Sequence, residues 1–187
     1  KSASQNIPWW LTRYLNWNVN RIFKDKDISY LQSVPSEKIE PTTFHLSKTF
    51  EGLNNAQKPI LLIGSQAIQN TYQSNFLAEA VKKLNIPTFV SGMARGLLSN
   101  TELPIYRHSR KQALRETDLV ILAGVPCDFR LDYGRHINHQ AKIVSINLSR
   151  DELYLNRKPT LGILSDPVTF LMDLSKGRKQ NGWKSWH

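Results

Sequence analysis

The stretch Lys58 to Gln66, Lys-Pro-Ile-Leu-Leu-Ile-Gly-Ser-Gln, constrains the fold more than any other in the chain. Ile60 to Ile63 is apolar throughout, opened by a proline and closed by Gly64. With no polar alternation, such a strand must be covered on both faces, as in the centre of a parallel sheet. Gly64 lets the backbone turn sharply or come close to another group. After a short loop, Phe76, Leu77, Ala80, Val81 and Leu84 recur at helical spacing on one face. Strand, glycine turn and helix together make a crossover unit.

The same grammar repeats downstream. Ile86 to Val90 reads as a second strand ending at Ser91-Gly92-Met93-Ala94-Arg95-Gly96, and the polar loop from Leu98 to Pro104 follows. Ser109 to Glu116 reads as a short helix and Asp118 to Ala123 as a third buried strand, closed by Gly124. Lys142 to Asn147 is a fourth strand and Leu161 to Leu164 a fifth, after which Pro167 suits the first turn of a helix running through Leu174. Strands alternating with helices predict an α/β fold: a doubly wound, mainly parallel sheet of five to six strands with helices on both faces, of the nucleotide-binding, Rossmann-like kind.

Upstream, Leu11, Tyr14, Leu15, Val19, Ile22 and Phe23 share one half of a helical wheel, while Trp10 and Trp17 fall near Arg13 and Arg21. This amphipathic helix over 8–23 suits either docking on a neighbouring domain or peripheral contact with a membrane interface. Asp25 to Pro41 reads as a linker, and Phe44, Phe50 and Leu53 as the apolar contacts of a further helix. The organisation expected is 1–41 as helix and linker from a preceding domain, 42–176 as a central nucleotide-fold domain, and 177–187 as a linker toward a third. A first residue other than methionine is what a piece of a longer protein would show.

Twenty-five Lys and Arg against fifteen Asp and Glu give a net charge of +10, which favours anionic partners. No five-residue basic block or nucleic-acid motif accompanies it, so a nucleic-acid partner is not expected. The single cysteine, Cys127, excludes an intrachain disulfide and reads as core filler. His136 and His139 have helical ligand spacing, but no Glu follows the first His, and a solvent-facing pair is the expectation. The Asn147-Leu148-Ser149 sequon sits at a strand end, where glycosylation is not expected. Neither Gly-x-Gly-x-x-Gly nor a phosphate loop follows the first strand, which argues against a standard dehydrogenase or NTPase.

In doubly wound sheets, ligands collect beyond the carboxyl ends of the strands, near the point where strand order reverses. Those ends carry Gly64, Ser65 and Gln66, then Gly92 and Met93, Gly124 and Val125, Asn147, and Asp166. They form an adenine-nucleotide cradle or merely turn the chain; the sequence leaves both open.

Gly92 to Gly96, Phe-Val-Ser before them, Asp-Leu-Val-Ile-Leu-Ala-Gly, and Cys127 to Leu131 resemble, in that context, the central domain of thiamine-diphosphate enzymes. The resemblance is strongest to the acetolactate synthase-like branch that acts on 2-hydroxyacyl-CoA, and it covers Gln57 to Leu174. It implies a parent in which two other domains hold thiamine diphosphate and Mg²⁺ outside this chain, with no catalytic residue here. The implied chemistry is carbon-carbon cleavage or synthesis beside a carbonyl, with the cofactor as electron sink. It also implies a homo-oligomeric parent packed on its flanking domains, at the endoplasmic reticulum membrane or alternatively in mitochondria.

By the same resemblance, Gly64, Ser65 and Gln66 face phosphates or ribose, Gly92 and Met93 the flavin-side portion, and Gly124 with Val125 the pyrophosphate. Pro126 stands where flavin-holding relatives carry an arginine, which removes a fork of donors and weighs against FAD. Asn147 replaces an acid and spares a ribose phosphate its repulsion, with Arg150 near enough in sequence to assist, so CoA or ADP is favoured. A flavin-holding acetolactate synthase domain and a scaffold whose crevice is filled by its own side chains are the alternatives.

Overall fold

The computed structural model describes residues 8–23, 39–96 and 105–177. Most of the linker expected over Asp25 to Pro41, the loop expected from Leu98 to Pro104, and all but Gly177 of the tail lie outside the described residues. The chain divides into two compact units, Lys1–Glu37 and Lys38–His187. The first contains helix α1, Trp9–Phe23, whose side chains are largely exposed.

The second unit is a six-stranded sheet: β1 (Pro59–Ile63), β2 (Thr88–Val90), β3 (Ile105–Tyr106), β4 (Leu119–Ala123), β5 (Lys142–Asn147) and β6 (Leu161–Leu164). Every pair is parallel, in the order β3-β2-β1-β4-β5-β6. That is the doubly wound order in which the chain reverses direction across the sheet between β1 and β4. The α/β architecture expected from the alternating pattern is therefore present. The two-residue strand β3 joins the edge beyond β2, a pairing that its sequence gave no run of apolar residues to announce.

Alternate residues of the central strands feed two cores, as the strand period requires. Leu61 and Ile63 of β1, Ile121 and Ala123 of β4, and Val144 and Ile146 of β5 face helices α2 (Thr43–Asn55), α3 (Ser74–Leu84) and α6 (Pro167–Lys176) through Leu53, Leu77, Val81, Phe170 and Leu171. Ile60, Leu62, Val120, Leu122 and Ile143 face the other way, onto Leu114 of α4 (Arg110–Glu116) and onto Val125, Cys127, Leu131 and Ile137 of the loop after β4. Fully burying each of these side chains contributes about 1.5 to 3 kcal/mol. The unbroken apolar runs are what make the two-sided sheet affordable.

Two expected contacts are corrected. Phe44 and Phe76 are exposed, because Phe44 lies on the side of α2 opposite the buried Leu53 and Phe76 lies about a quarter-turn off the buried stripe made by Leu77, Ala80, Val81 and Leu84 in α3. At the other end of the sheet the Asp118 carboxylate accepts from the Gln57 and Lys58 amides at 2.6 and 2.9 Å, tying the start of β1 to that of β4. This leaves the carboxyl edge as the place where loops diverge.

Candidate functional site

At the reversal point the backbone segments close on each other. The Gly64 amide donates to the Ala123 carbonyl at 2.9 Å, and a Cβ on Gly64 would lie 2.2 Å from the Gly124 carbonyl oxygen. Gly124 has φ +68°, and a Cβ there would meet Gln66 Cβ at 2.7 Å. Glycine is thus demanded at both positions by protein packing alone.

Gln66 and Asn147 meet across the crevice. Gln66 Nε2 donates to Asn147 Oδ1 at 2.8 Å and to Glu152 Oε2 at 2.9 Å, and its Oε1 accepts from the Leu148 amide at 3.1 Å. Asn147, fully buried, donates from Nδ2 to the same Glu152 oxygen at 3.2 Å and accepts from the Ser149 amide at 2.8 Å. Glu152 lies in the short helix α5 (Arg150–Leu153), capped by Ser149, and enters the site without having been singled out from the sequence. The amide groups of both residues are engaged by this network, and its carboxylate gives the crevice negative charge.

The remaining expected residues divide. Ser65 Oγ accepts from the Met93 amide at 3.2 Å, and Gly92, at φ +59°, has room for no Cβ because Ser65 Oγ would stand 2.4 Å away. These bring the β1 and β2 ends together, with the Met93 side chain exposed. Val125 is buried in the core, and Arg150 is exposed at the start of α5. Asp166 caps α6: Oδ1 accepts from the Val168 amide at 3.0 Å and Oδ2 from Thr169 Oγ1 at 2.9 Å.

A cavity of about 720 Å³ opens on the α4 side of the carboxyl edge. Arg95, Arg107, Arg110, Lys111 and Arg130 line it, over a floor that includes Phe89, Tyr106 and Leu114. The fold gathers them from four places: the turn after β2, the end of β3, the first turn of α4 and the loop after β4. Arg110 Nη2 donates to the Arg130 carbonyl at 2.9 Å. Burial, and then the nearby charge of Arg95, push the Arg110 guanidinium below its ordinary range. A cation held at that cost is stabilised by any anion that enters.

Arg130 is fixed by Asp128, whose Oδ2 accepts from Arg130 Nε at 2.8 Å and also from Nη2, while Oδ1 accepts from the Arg130 amide at 2.9 Å. Those bonds raise the Arg130 pKa. Burial alone would push the Asp128 carboxyl up, but the bonds from Arg130 outweigh it and leave it below the usual carboxylate range. Asp132, with His136 Nε2 at 3.4 Å from its Oδ2, is the acidic member of the lining. Among the described residues, Arg95, Arg107 and Lys111 form no ion pair with a carboxylate. Arg130 Nη1 lies 3.9 Å from the position a Cβ on Gly92 would take, so the cavity adjoins the expected cradle through Gly92.

Sequence reasoning missed this cluster, although Tyr-Arg-His-Ser-Arg-Lys at 106–111 signalled local basic density. Its charges converge only after β3 pairs with β2 and the β4 loop folds back.

The strand order defines a doubly wound, all-parallel α/β domain with a cavity at its carboxyl edge. The chain belongs to the family described as thiamine pyrophosphate enzyme, central domain, whose profile matches residues 46–174. It is 44% identical over 139 residues to 2-hydroxyacyl-CoA lyase 2 of Xenopus laevis, covering 72% of this chain and 21% of that protein. To 2-hydroxyacyl-CoA lyase 2 of Homo sapiens it is 37% identical over 181 residues, covering 95% and 28%. A crystal structure of an enzyme from Mycobacterium smegmatis, described as thiamin diphosphate-dependent, shares the fold at a TM-score of 0.59 and 19% identity, covering 78% of this chain and 29% of that one. The chain thus spans about a quarter of the relatives' length.

The family implies thiamine diphosphate, ordinarily with Mg²⁺. Among the described residues no group of three or more His, Cys, Asp or Glu side chains could hold a metal ion.

Proposed function

We propose that the chain is the central domain of a thiamine-diphosphate-dependent carbon-carbon lyase acting on 2-hydroxyacyl-CoA, and that its own task is to hold the phosphates of CoA. The observation that carries this reading is the basic cavity, read beside relatives named 2-hydroxyacyl-CoA lyase 2. CoA presents a ribose phosphate and a pyrophosphate. Guanidinium forks match such groups with paired hydrogen bonds, and Arg95, Arg107 and Arg110 supply them beside Lys111.

The Gln66, Asn147 and Glu152 network supports a division of labour. Glu152 repels phosphate at the crevice, while the cavity beyond Gly92 attracts it. The resident cofactor, bound elsewhere in the parent, supplies the electron sink for bond cleavage beside a carbonyl. This domain contributes binding energy and orientation, and by itself turns nothing over.

Calorimetry on the chain tests the reading. CoA should bind more tightly than ADP, and ADP more tightly than FAD. Arg110→Gln should weaken CoA by about tenfold or more, since charged hydrogen bonds are worth about 1.5 to 3 kcal/mol. Arg150→Ala should change it little. Equal CoA affinity in wild type and Arg110→Gln would overturn the assignment, and a large loss in Arg150→Ala alone would move the ribose phosphate to the β5 end.

A further inference from the structure

We infer that Arg157, which stands outside the cavity lining, is a positioning residue for the anion site: it clamps the loop after β4 in a left-handed shape that the loop's own residues disfavour, and through that loop it sets Arg130 and Arg110. For the identity of the anion the inference rests on the CoA reading. Asp132 and Tyr133 have φ of 48° and 55°, and Gly134 follows at 77°. Glycine adopts that region freely, whereas a residue with a Cβ is strained there, and an aromatic side chain offers the backbone no local hydrogen bond in return. Such residues persist only where the surrounding structure over-determines them.

The residues that over-determine the loop come from the connection between α5 and β6. Arg157 Nη1 donates to the Gly134 carbonyl at 3.0 Å and to the Ile137 carbonyl at 2.6 Å, and Nη2 donates to the Asn138 carbonyl at 2.8 Å. Its stem packs where Gly134 has no side chain, since a Cβ there would stand 3.3 Å from both Arg157 Cβ and Cδ. Asn156 Nδ2 donates to the Cys127 carbonyl at 2.8 Å, at the start of the same loop. The clamp is mounted on the sheet: Thr160 Oγ1 accepts from the Ile143 amide of β5 at 3.1 Å, and Pro159 is buried.

Arg157 is half-buried and, among the described residues, forms no ion pair with a carboxylate. A guanidinium aimed at three carbonyls of one loop fixes backbone shape rather than balancing a charge. Its planar fork suits that task, because several donors are held in one rigid group.

What the clamped loop carries is a wall of the cavity: Phe129, Arg130, Leu131, Asp132 and His136 all line it. The Arg130 carbonyl also accepts from Arg110 Nη2, so the loop's backbone sets the α4 cation as well as its own. Arg130 shares the cavity with Arg95, Arg107, Arg110 and Lys111, like charges that push the loop outward unless its backbone is held. Released from Arg157, the left-handed turn relaxes, Arg130 moves with it, and the guanidinium groups lose their common aim. Holding them in place before the anion arrives is what preorganisation contributes to affinity.

Two readouts on the 187-residue chain test the clamp. Cys127, the single cysteine, reports on the loop without any ligand, because it is buried and its sulfur would stand 3.3 Å from a Cβ on Gly134. Arg157→Gln should speed its reaction with a thiol reagent by about tenfold or more through local opening, while a urea melt shows the chain still folded. The same substitution should weaken CoA and inorganic pyrophosphate by about fivefold or more in calorimetry, although Arg157 lies outside the lining. Tyr133→Gly relieves the left-handed strain and, placed in the Arg157→Gln chain, should restore most of the lost affinity. A purely structural Arg157 would leave the two substitutions additive, with no rescue. Unchanged thiol reactivity in Arg157→Gln, or faster reaction with both anion affinities unchanged, overturns the inference, and absence of rescue overturns strain as what the clamp opposes. Pyrophosphate binding that falls in Arg157→Gln, in a chain that never binds CoA, strikes the CoA reading alone; a wild type that binds neither anion overturns both.

Discussion

Cys127 shows how far one side chain can be taken. It is buried at the start of the loop after β4, its carbonyl accepts from Asn156 Nδ2 at 2.8 Å, and its sulfur would stand 3.3 Å from a Cβ on Gly134. Burial pushes the thiol up to about 11, with Arg157 pulling it down and Asp128 adding to the rise. A thiol so raised stays protonated at neutral pH and is a poor nucleophile. In the unfolded chain the same thiol ionises near pH 8.5. Between there and pH 11 the unfolded state loses its proton while the folded state keeps it, so stability falls as pH rises. The loss is on the order of 3 kcal/mol and is complete above the folded value. Urea melts at pH 8 and pH 11 should show a larger drop for wild type than for Cys127→Ala. Equal drops would mean that the sulfur does not titrate against burial.

At the scale of elements, α6 rests on its first turn. Asp166 satisfies the Val168 amide and the Thr169 hydroxyl, and Pro167 follows it in the position where a missing amide costs nothing. Asp166→Ala should lower stability by about 1 kcal/mol, read as a reduced urea midpoint at unchanged slope; an unchanged midpoint would show that solvent replaces the cap in full. This helix, like β1 and β4, was legible in the sequence because an unbroken apolar run or a proline after an acid admits few other structures. Lys142–Asn147 and Leu161–Leu164 have the expected bounds. The two-residue β3 was not legible, since its partner β2 supplies the order that its own residues lack. Phe44 and Phe76 were placed on buried faces because hydrophobicity was read ahead of angle: Phe44 falls opposite Leu53 on the wheel and Phe76 at the margin of the α3 stripe. The glycines at the carboxyl edge were legible as close approaches, but what they approach is the chain's own backbone and the side chains of Ser65, Gln66 and Val125. The cations of the cavity were illegible as a group, because residues 95, 107, 110, 111 and 130 become neighbours only through the β2 to β3 pairing and the loop after β4.

For the whole molecule, the question is how the proposed clamp on CoA would shape a reaction. Phosphates held in the cavity stay equally bound in the ground and transition states, because no bond near them changes. Such uniform binding lowers KM and leaves kcat nearly untouched. In a full-length relative carrying this domain, supplied with thiamine diphosphate and Mg²⁺, Arg110→Gln should therefore raise KM for a 2-hydroxyacyl-CoA by about tenfold with kcat within about twofold. The effect should shrink with rising salt, as screening weakens the wild-type attraction that the variant already lacks. On the proposed reading, in which the parent's other domains hold the cofactor, the 187-residue chain alone should show no turnover. Turnover by the isolated chain would contradict the division of labour. A fall in kcat at unchanged KM would instead place Arg110 against the reacting atoms, and the cavity would then be part of the chemistry rather than a clamp on the carrier.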